Sequence, residues 1–275
     1  MCGAELEVLA ERCSRGFLRI AWELVPQFRR AKITQMAELV VLRGSLGYHF
    51  DRAFHEVFGR YLPRCFIGAK RYRISGGEFG VNIFYVNFDC LPNRGVLFTG
   101  DTIATGISLS QTLAVTRSEL RNRDYDISAL VVFTIAGSLR GSSKLLEWED
   151  RFQEWWPNFR MYLFACEALF GLADNGTDLL FKHPESILPE ETKKRVSRVY
   201  GDYDSAYLPS RICAIFDWGD RNFKPERHLE DLVKFCRDNL RRTREPTARR
   251  VLQNLIRKAT HKLKDFRGGL RLSAE

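Results

Sequence analysis

The chain has 275 residues, 45% hydrophobic and 28% charged, and its 43 Lys and Arg against 34 Asp and Glu give a formal net charge of +9. That length suits one large α/β domain or one domain with an elaboration, and both fractions are ordinary for a globular protein. No window of about 18 apolar residues runs uninterrupted, which excludes a long apolar membrane span, and the N-terminal MCGAELEVLAERC lacks a basic-then-apolar leader layout, so a cytoplasmic chain with no membrane association is expected.

Residues 5–30 read as a helix, with Leu6, Leu9, Cys13, Phe17, Ile20 and Leu24 at three- and four-residue spacing and Pro26 closing or kinking the run. Ala37–Leu42 is a short apolar run bounded by Gly44, as expected of a buried parallel strand. Phe50–Leu62 can form a helix through Phe54, Val57, Phe58 and Leu62. Lys70–Gly80 is rich in glycine and in Lys and Arg, and reads as a mobile basic loop before the strand-like Val81–Phe88. Gly95–Thr99 is a buried strand, Ser108–Arg121 a helix and Ile127–Ala136 a strong strand. Arg160–Ala165 and Arg211–Phe216 could add two more strands, while Gly171–Ser210 reads as irregular. Two amphipathic helices close the chain, starting near Pro225 and Pro246, where a first helical turn accepts proline. Strands alternating with helices argue for a single α/β domain built on a mostly parallel, doubly wound sheet, with a core over about residues 37–220 and extra helices at both ends.

The seven cysteines, Cys2, Cys13, Cys65, Cys90, Cys166, Cys213 and Cys236, form no C-x-x-C pair, so neither zinc nor a thioredoxin-like site is suggested; most are expected as small buried hydrophobes. The five histidines are isolated, which assigns no direct metal ligand. Charge is uneven: from Lys224 to Glu275 there are fifteen Lys and Arg against seven Asp and Glu. This stretch reads either as a solvated helix face or as a surface for nucleic acid, a polyphosphate or an acidic partner. Its few aromatics, Phe235 and Phe266, give little support to a stacking platform for single strands.

The segment that carries chemistry is Val96–Ser108, VLFTGDTIATGIS. The chain leaves a buried strand at its carboxyl end, the edge at which open α/β sheets bind ligands. Gly106 permits tight backbone approach, the amides of Ala104–Ser108 can surround a phosphate at the positive end of a helix, and Thr105 and Ser108 add hydroxyls. Asp101 lies upstream, where a carboxylate can accept from sugar hydroxyls. No Ser-His-Asp or Cys-His set stands out.

This segment resembles the phosphoribosyl-diphosphate (PRPP) motif of type I phosphoribosyltransferases: an apolar stretch, a pair of acids, two variable residues, a small residue or Thr, then Thr-Gly-x-Ser/Thr. Val96, Leu97 and Phe98 fill the apolar stretch, Asp101 the second acid, and Ala104, Thr105, Gly106 and Ser108 the phosphate loop; Gly100 stands where most members have an acid. The Ala-Thr-Gly-x-Ser ending is especially similar to uracil phosphoribosyltransferases. Val40–Gly47 resembles the family's pyrophosphate loop, in which Arg43 could meet a pyrophosphate oxygen. Lys70–Gly80 resembles the flexible loop that closes over the reaction, and Asp217-Trp218-Gly219-Asp220-Arg221 echoes a late Gly-Asp-Arg stretch near the base site.

The resemblance covers roughly Ala37–Ala136 and implies a type I phosphoribosyltransferase fold and pentosyl transfer between PRPP and a nucleobase or related nitrogen acceptor. It implies substrate-bound Mg2+ as cofactor, a role in nucleotide metabolism and a homo-oligomer. The residues it implies are Asp101, Arg43, Lys70 and Arg71 for catalysis; Thr102, Ala104, Thr105, Gly106, Ile107, Ser108, Gly44 and Ser45 for PRPP; and Asp217, Gly219, Asp220 and Arg221 for the acceptor. The acceptor-selecting hood must come from Gly141–Tyr207 or the terminal helices, where Glu167, Asp174 and Asp178 are further acceptor candidates. A second reading keeps the fold as a PRPP- or nucleotide-sensing module whose basic C-terminal helices bind nucleic acid or a protein.

Overall fold

The computed structural model describes residues 4–74, 79–180, 183–200 and 224–268. Continuous apolar runs form the centre of the fold. β1 (Met36–Leu42), β4 (Gly95–Gly100) and β5 (Ile127–Thr134) are buried almost throughout, as parallel strands covered on both faces require. With β2 (Arg64–Arg73), β3 (Phe79–Asn87) and β7 (Arg160–Ala165) they make a six-stranded sheet in the order β3-β2-β1-β4-β5-β7. Every pairing is parallel except β2 with β3. This is the expected mostly parallel α/β sheet.

Helices cover both faces. On one side α1 (Ala4–Leu24), α2 (Pro26–Arg30) and α3 (Phe50–Phe58) bring Phe17, Phe28, Phe50 and Phe54 onto Phe98 and Phe133. On the other, α4 (Ile107–Asn122), α5 (Leu139–Leu146) and α6 (Trp148–Gln153) bury Leu109, Leu113, Leu145 and Phe152 against Leu39, Leu97 and Val132. A small second sheet, β6 (Gly137–Ser138), β8 (Leu169–Leu172) and β9 (Leu179–Leu180), stands beside the carboxyl edge, followed by α7 (Glu190–Tyr200). A helical hairpin, α8 (Pro225–Arg242) and α9 (Pro246–Arg267), closes on Leu229, Val233 and Ala259. Among the described residues no helix is long and apolar enough to cross a membrane.

Several sequence expectations need correction. Residues 70–73 and 79–80 are strand, not loop: Lys70 pairs with Asn82 and Arg73 with Phe79. Pro26 divides the first helix in two, and its inward face is Ala10, Ser14, Phe17, Leu18 and Ala21, while Ile20 and Leu24 are exposed. The third helix ends at Phe58 and not at Leu62, because Gly59 takes a left-handed conformation (φ 65°) that stops it. Gly171–Ser210 is not irregular where described; it contains β9 and α7. The strand expected at Arg211–Phe216 lies outside the described residues. Of the five described cysteines only Cys65 and Cys236 are buried, against the expectation for most of them; Cys90 is exposed, and Cys13 and Cys166, half-buried, approach to 3.9 Å between sulfurs.

Candidate binding site at the switch point of the sheet

The strand order reverses between β1 and β4: the chain runs outward from β1 through β2 and β3, then returns to β4 on the other side of β1. The carboxyl ends of two adjacent parallel strands therefore diverge into separate connections, which is where open α/β sheets form a ligand crevice. Here they enclose a cavity of about 280 Å³, lined by Val41 and Leu42 at the end of β1, Gly44 after it, Ala69 and Arg71 from β2, and residues 101–109 after β4.

The two loops meet closely. A Cβ on Gly44 would lie 2.7 Å from Asp101 Oδ1, so a larger residue in this turn would have to displace the carboxylate. The turn opens with a cis peptide between Leu42 and Arg43 and runs on as a 3-10 turn, Gly44–Tyr48. Asp101 is held by its backbone N–H donating to the Phe133 carbonyl at 3.1 Å, and its Oδ1 accepts from Thr102 N–H at 2.8 Å.

Gly106 precedes α4 in a left-handed conformation (φ 71°) and, as the N-cap, offers no side chain, while Thr105 Oγ1 accepts from Ile107 N–H at a long 3.5 Å. The first-turn residues Ile107, Ser108 and Leu109 line the cavity. Amides at a helix start lack intrahelical partners and carry the positive end of the helix dipole, which favours negative charge beside them. The loop rests on a rigid support. Ile103 N–H donates to the Ala136 carbonyl and Ser138 N–H to the Ile103 carbonyl, at 3.1 and 2.7 Å. Ser138 Oγ donates to the Ala104 carbonyl and accepts from Gly141 N–H. A Cβ on Gly141 would stand 2.2 Å from the Ala104 carbonyl oxygen. This support was not legible in the sequence, since Ser138 and Gly141 belong to no motif there.

Gly100 has a steric explanation. A Cβ there would lie 2.7 Å from both Cγ and Cδ1 of Tyr48. The Tyr48 ring is fully buried, edge-on to Phe50 and Phe133, and its hydroxyl accepts from Ile135 N–H at 3.1 Å. Burial, with the Asp101 charge adding to it, pushes the Tyr48 phenol above its ordinary range, so it stays neutral. An aromatic ring thus fills the space a first acid of the motif would need.

The remaining candidates separate. Thr102, Ala104, Thr105, Gly106, Ile107 and Ser108 all line the cavity. Arg71 lines it too, with its guanidinium 5.4 Å from the Phe79 ring centre. Lys70, the next residue on the strand, is exposed and absent from the lining, as strand alternation requires. Ser45 is buried away from the cavity, its Oγ accepting from Val41 N–H at 2.9 Å. Arg43 is exposed, and the residues on either side of it, not its own side chain, form the wall. Asp217, Gly219, Asp220 and Arg221 lie outside the described residues. Asp178 lines the cavity with Thr177, both from the turn joining β8 to β9, whereas Glu167 is engaged with Arg195 at 3.4 Å and Asp174 is not in the wall. The same turn passes over the loop at Gly176 (φ 68°), where a Cβ would come 3.6 Å from the Thr105 methyl.

No protein-family model matches the chain, and no curated protein matches it. Solved structures similar to it include a hypoxanthine-guanine phosphoribosyltransferase of L. donovani, at 14% identity and a TM-score of 0.37, covering 58% of this chain and 81% of that one. A purine phosphoribosyltransferase of Pyrococcus horikoshii is similar at 13% identity and a TM-score of 0.32, over 62% of this chain and 95% of that one. A hypoxanthine phosphoribosyltransferase of Staphylococcus aureus is 15% identical with a TM-score of 0.31, over 47% and 65%.

Proposed function

We propose that the switch-point cavity binds a 5-phosphoribosyl group and that the chain transfers it between PRPP and a nucleobase or related nitrogen acceptor. The observation that carries this reading is one wall: the start of α4 and the carboxylate of Asp101 face the same space. The amides of residues 104–108 would hold the 5-phosphate, Asp101 would accept from the ribose hydroxyls, and the turn at Leu42–Gly44 together with Arg71 would face the pyrophosphate. Departure of pyrophosphate leaves an oxocarbenium-like carbon, as in glycoside chemistry, so the protein's work is positioning and stabilising charge on the leaving group. Thr177 and Asp178 are the candidates for touching the acceptor.

Magnesium, implied by the resemblance, fits as a substrate-borne ion. Asp101 and Asp178 are the carboxylates of the wall, and no group of three His, Cys, Asp or Glu able to hold a metal occurs among the described residues. Mg2+ typically takes one or two carboxylates alongside substrate phosphates, and bound to PRPP it would supply neutralisation of the diphosphate.

A second reading, a PRPP- or nucleotide-sensing module, is favoured by one observation, the Tyr48 ring standing where a second carboxylate would be. Pyrophosphate release, measured with PRPP, Mg2+ and a panel including uracil, hypoxanthine, guanine and adenine, separates the two. Release with at least one base is expected. It should fall roughly 10²-fold or more in Asp101→Asn and in Arg71→Ala, the usual scale for losing one preorganised charge contact. No release with any base would overturn transfer and leave the sensing reading.

A further inference from the structure

We propose that the outward face of α9 is a docking surface for duplex nucleic acid, B-form DNA in particular, independent of the cavity and of the function proposed for it. The observation is a contrast between two helices of one hairpin. On α8 five Lys and Arg are nearly balanced by four Asp and Glu: Arg227 pairs with Asp231 at 4.0 Å and Arg241 with Asp238 at 3.7 Å, while Glu226 and Glu230 take Arg267 from the end of α9. That is how a solvated helix face manages its charge. Residues 246–264 of α9 hold six Lys and Arg and no Asp or Glu. Its first acid, Asp265, is engaged by His261 at 2.9 Å, and the Glu245 carboxylate ahead of it caps the helix start.

The face is also ordered in a useful way. Arg250, Gln253, Asn254 and Arg257 are exposed and line one shallow hollow along the helix. Lys264 continues the row at the next seven-residue step. The row spans about 21 Å at 1.5 Å per residue. Arg250 and Arg257 suit phosphates, and the amides of Gln253 and Asn254 between them, the second with its Oδ1 accepting from Arg257 at 3.1 Å, are donor-acceptor groups of the kind that meet base edges. A helix about 10–12 Å across fits the major groove of B-DNA, whereas the deep major groove of A-form RNA is too narrow to admit one. A membrane suits the face poorly. The apolar side of α9 is turned onto α8 through Ile256, Ala259 and Leu263, and its large exposed apolar side chains, Leu255 and Phe266, are too few for insertion. The scarcity of aromatics argues against a single-strand platform.

The test is fluorescence anisotropy of the full chain with a labelled mixed-sequence 20-bp DNA duplex from 50 to 200 mM salt. Binding that weakens with salt is expected. Replacing Arg250, Arg257 and Lys264 by Gln should lower the slope of log K against log salt by about 2.7, or 0.9 per phosphate contact. The matching Gln triple at Arg227, Lys234 and Arg241 on α8 should change it by less than about 1. No binding at 50 mM salt overturns the proposal, and so does equal loss in the two triples, which would mean diffuse charge attraction. Tighter binding of an RNA duplex of the same sequence contradicts docking in the major groove. Equal affinity for phosphatidylserine vesicles shifts the partner to a membrane and likewise overturns it.

Discussion

Gly100→Asp, which places at this position the acid usual in the PRPP motif that the segment resembles, is expected to destabilise the protein by about 4 kcal/mol. The first carbon of the new side chain would sit 2.7 Å from two ring atoms of Tyr48. The ring is held in place: its hydroxyl accepts from Ile135 N–H, and its own carbonyl accepts from Ser14 Oγ at 2.6 Å. Overpacking of this kind costs about 1–3 kcal/mol, and a carboxylate forced into a buried strand end beside Asp101 adds a desolvation penalty. Urea unfolding should show a lower midpoint at unchanged m-value. The double variant Gly100→Asp/Tyr48→Ala should lose less than the sum of its parts, since removing the ring removes the clash. A loss under about 1 kcal/mol for Gly100→Asp would mean that Tyr48 yields and that the absent acid has no steric cause.

The second large effect concerns Glu38, fully buried in the middle of β1 with Arg64 Nε 3.0 Å from its carboxylate. Burial pushes the carboxyl up from 4.5 to about 7, against the pull of Arg64 and with a push from Asp51. The folded chain therefore keeps a proton between pH 4.5 and 7 that the unfolded chain has released, so stability falls as pH rises through that window. The drop is about 3 kcal/mol, since each tenfold change in proton affinity is worth about 1.4 kcal/mol. Glu38→Gln should flatten this dependence and stand above the wild type at pH 8. Arg64→Met should cost about 3–5 kcal/mol at pH 8, where the buried carboxylate loses its partner, and less at pH 5. Denaturation midpoints at the two pH values check both; equal Arg64→Met costs would show that Glu38 does not titrate in this range.

Much of the site was legible in the sequence because it is local. β1, β4 and β5 are unbroken apolar runs, and the loop from Asp101 to Ser108 reads directly as strand, glycine, helix. Parts that depend on distant segments were not. Ser138 and Gly141 support the loop across a two-stranded contact, and Thr177 and Asp178 reach the cavity from a turn some seventy residues further on. Lys70–Arg73 read as loop because this hairpin lies at the sheet edge, where Lys70, Tyr72 and Arg73 face solvent and polar composition no longer separates strand from turn. The inward face of α1 is hidden from apolar spacing because small residues, Ala10, Ser14 and Ala21, do the packing there while Ile20 and Leu24 stay outside. The reason for Gly100 lies in Tyr48, fifty-two residues earlier and invisible to any motif.

Whether a phosphoribosyl group sits at the start of α4 is decided by calorimetric titration of PRPP with Mg2+ into the wild type and into Gly106→Val. Gly106 has φ 71°, and a Cβ there would meet the Gly141 carbonyl oxygen at 2.7 Å, so the variant should distort the amide cradle while circular dichroism confirms that the sheet remains folded. One PRPP site is expected in the wild type, with at least a tenfold loss of affinity, about 1.4 kcal/mol, in the variant. No binding by the wild type, or undiminished binding by a folded Gly106→Val, would refute a phosphate cradle at this helix start.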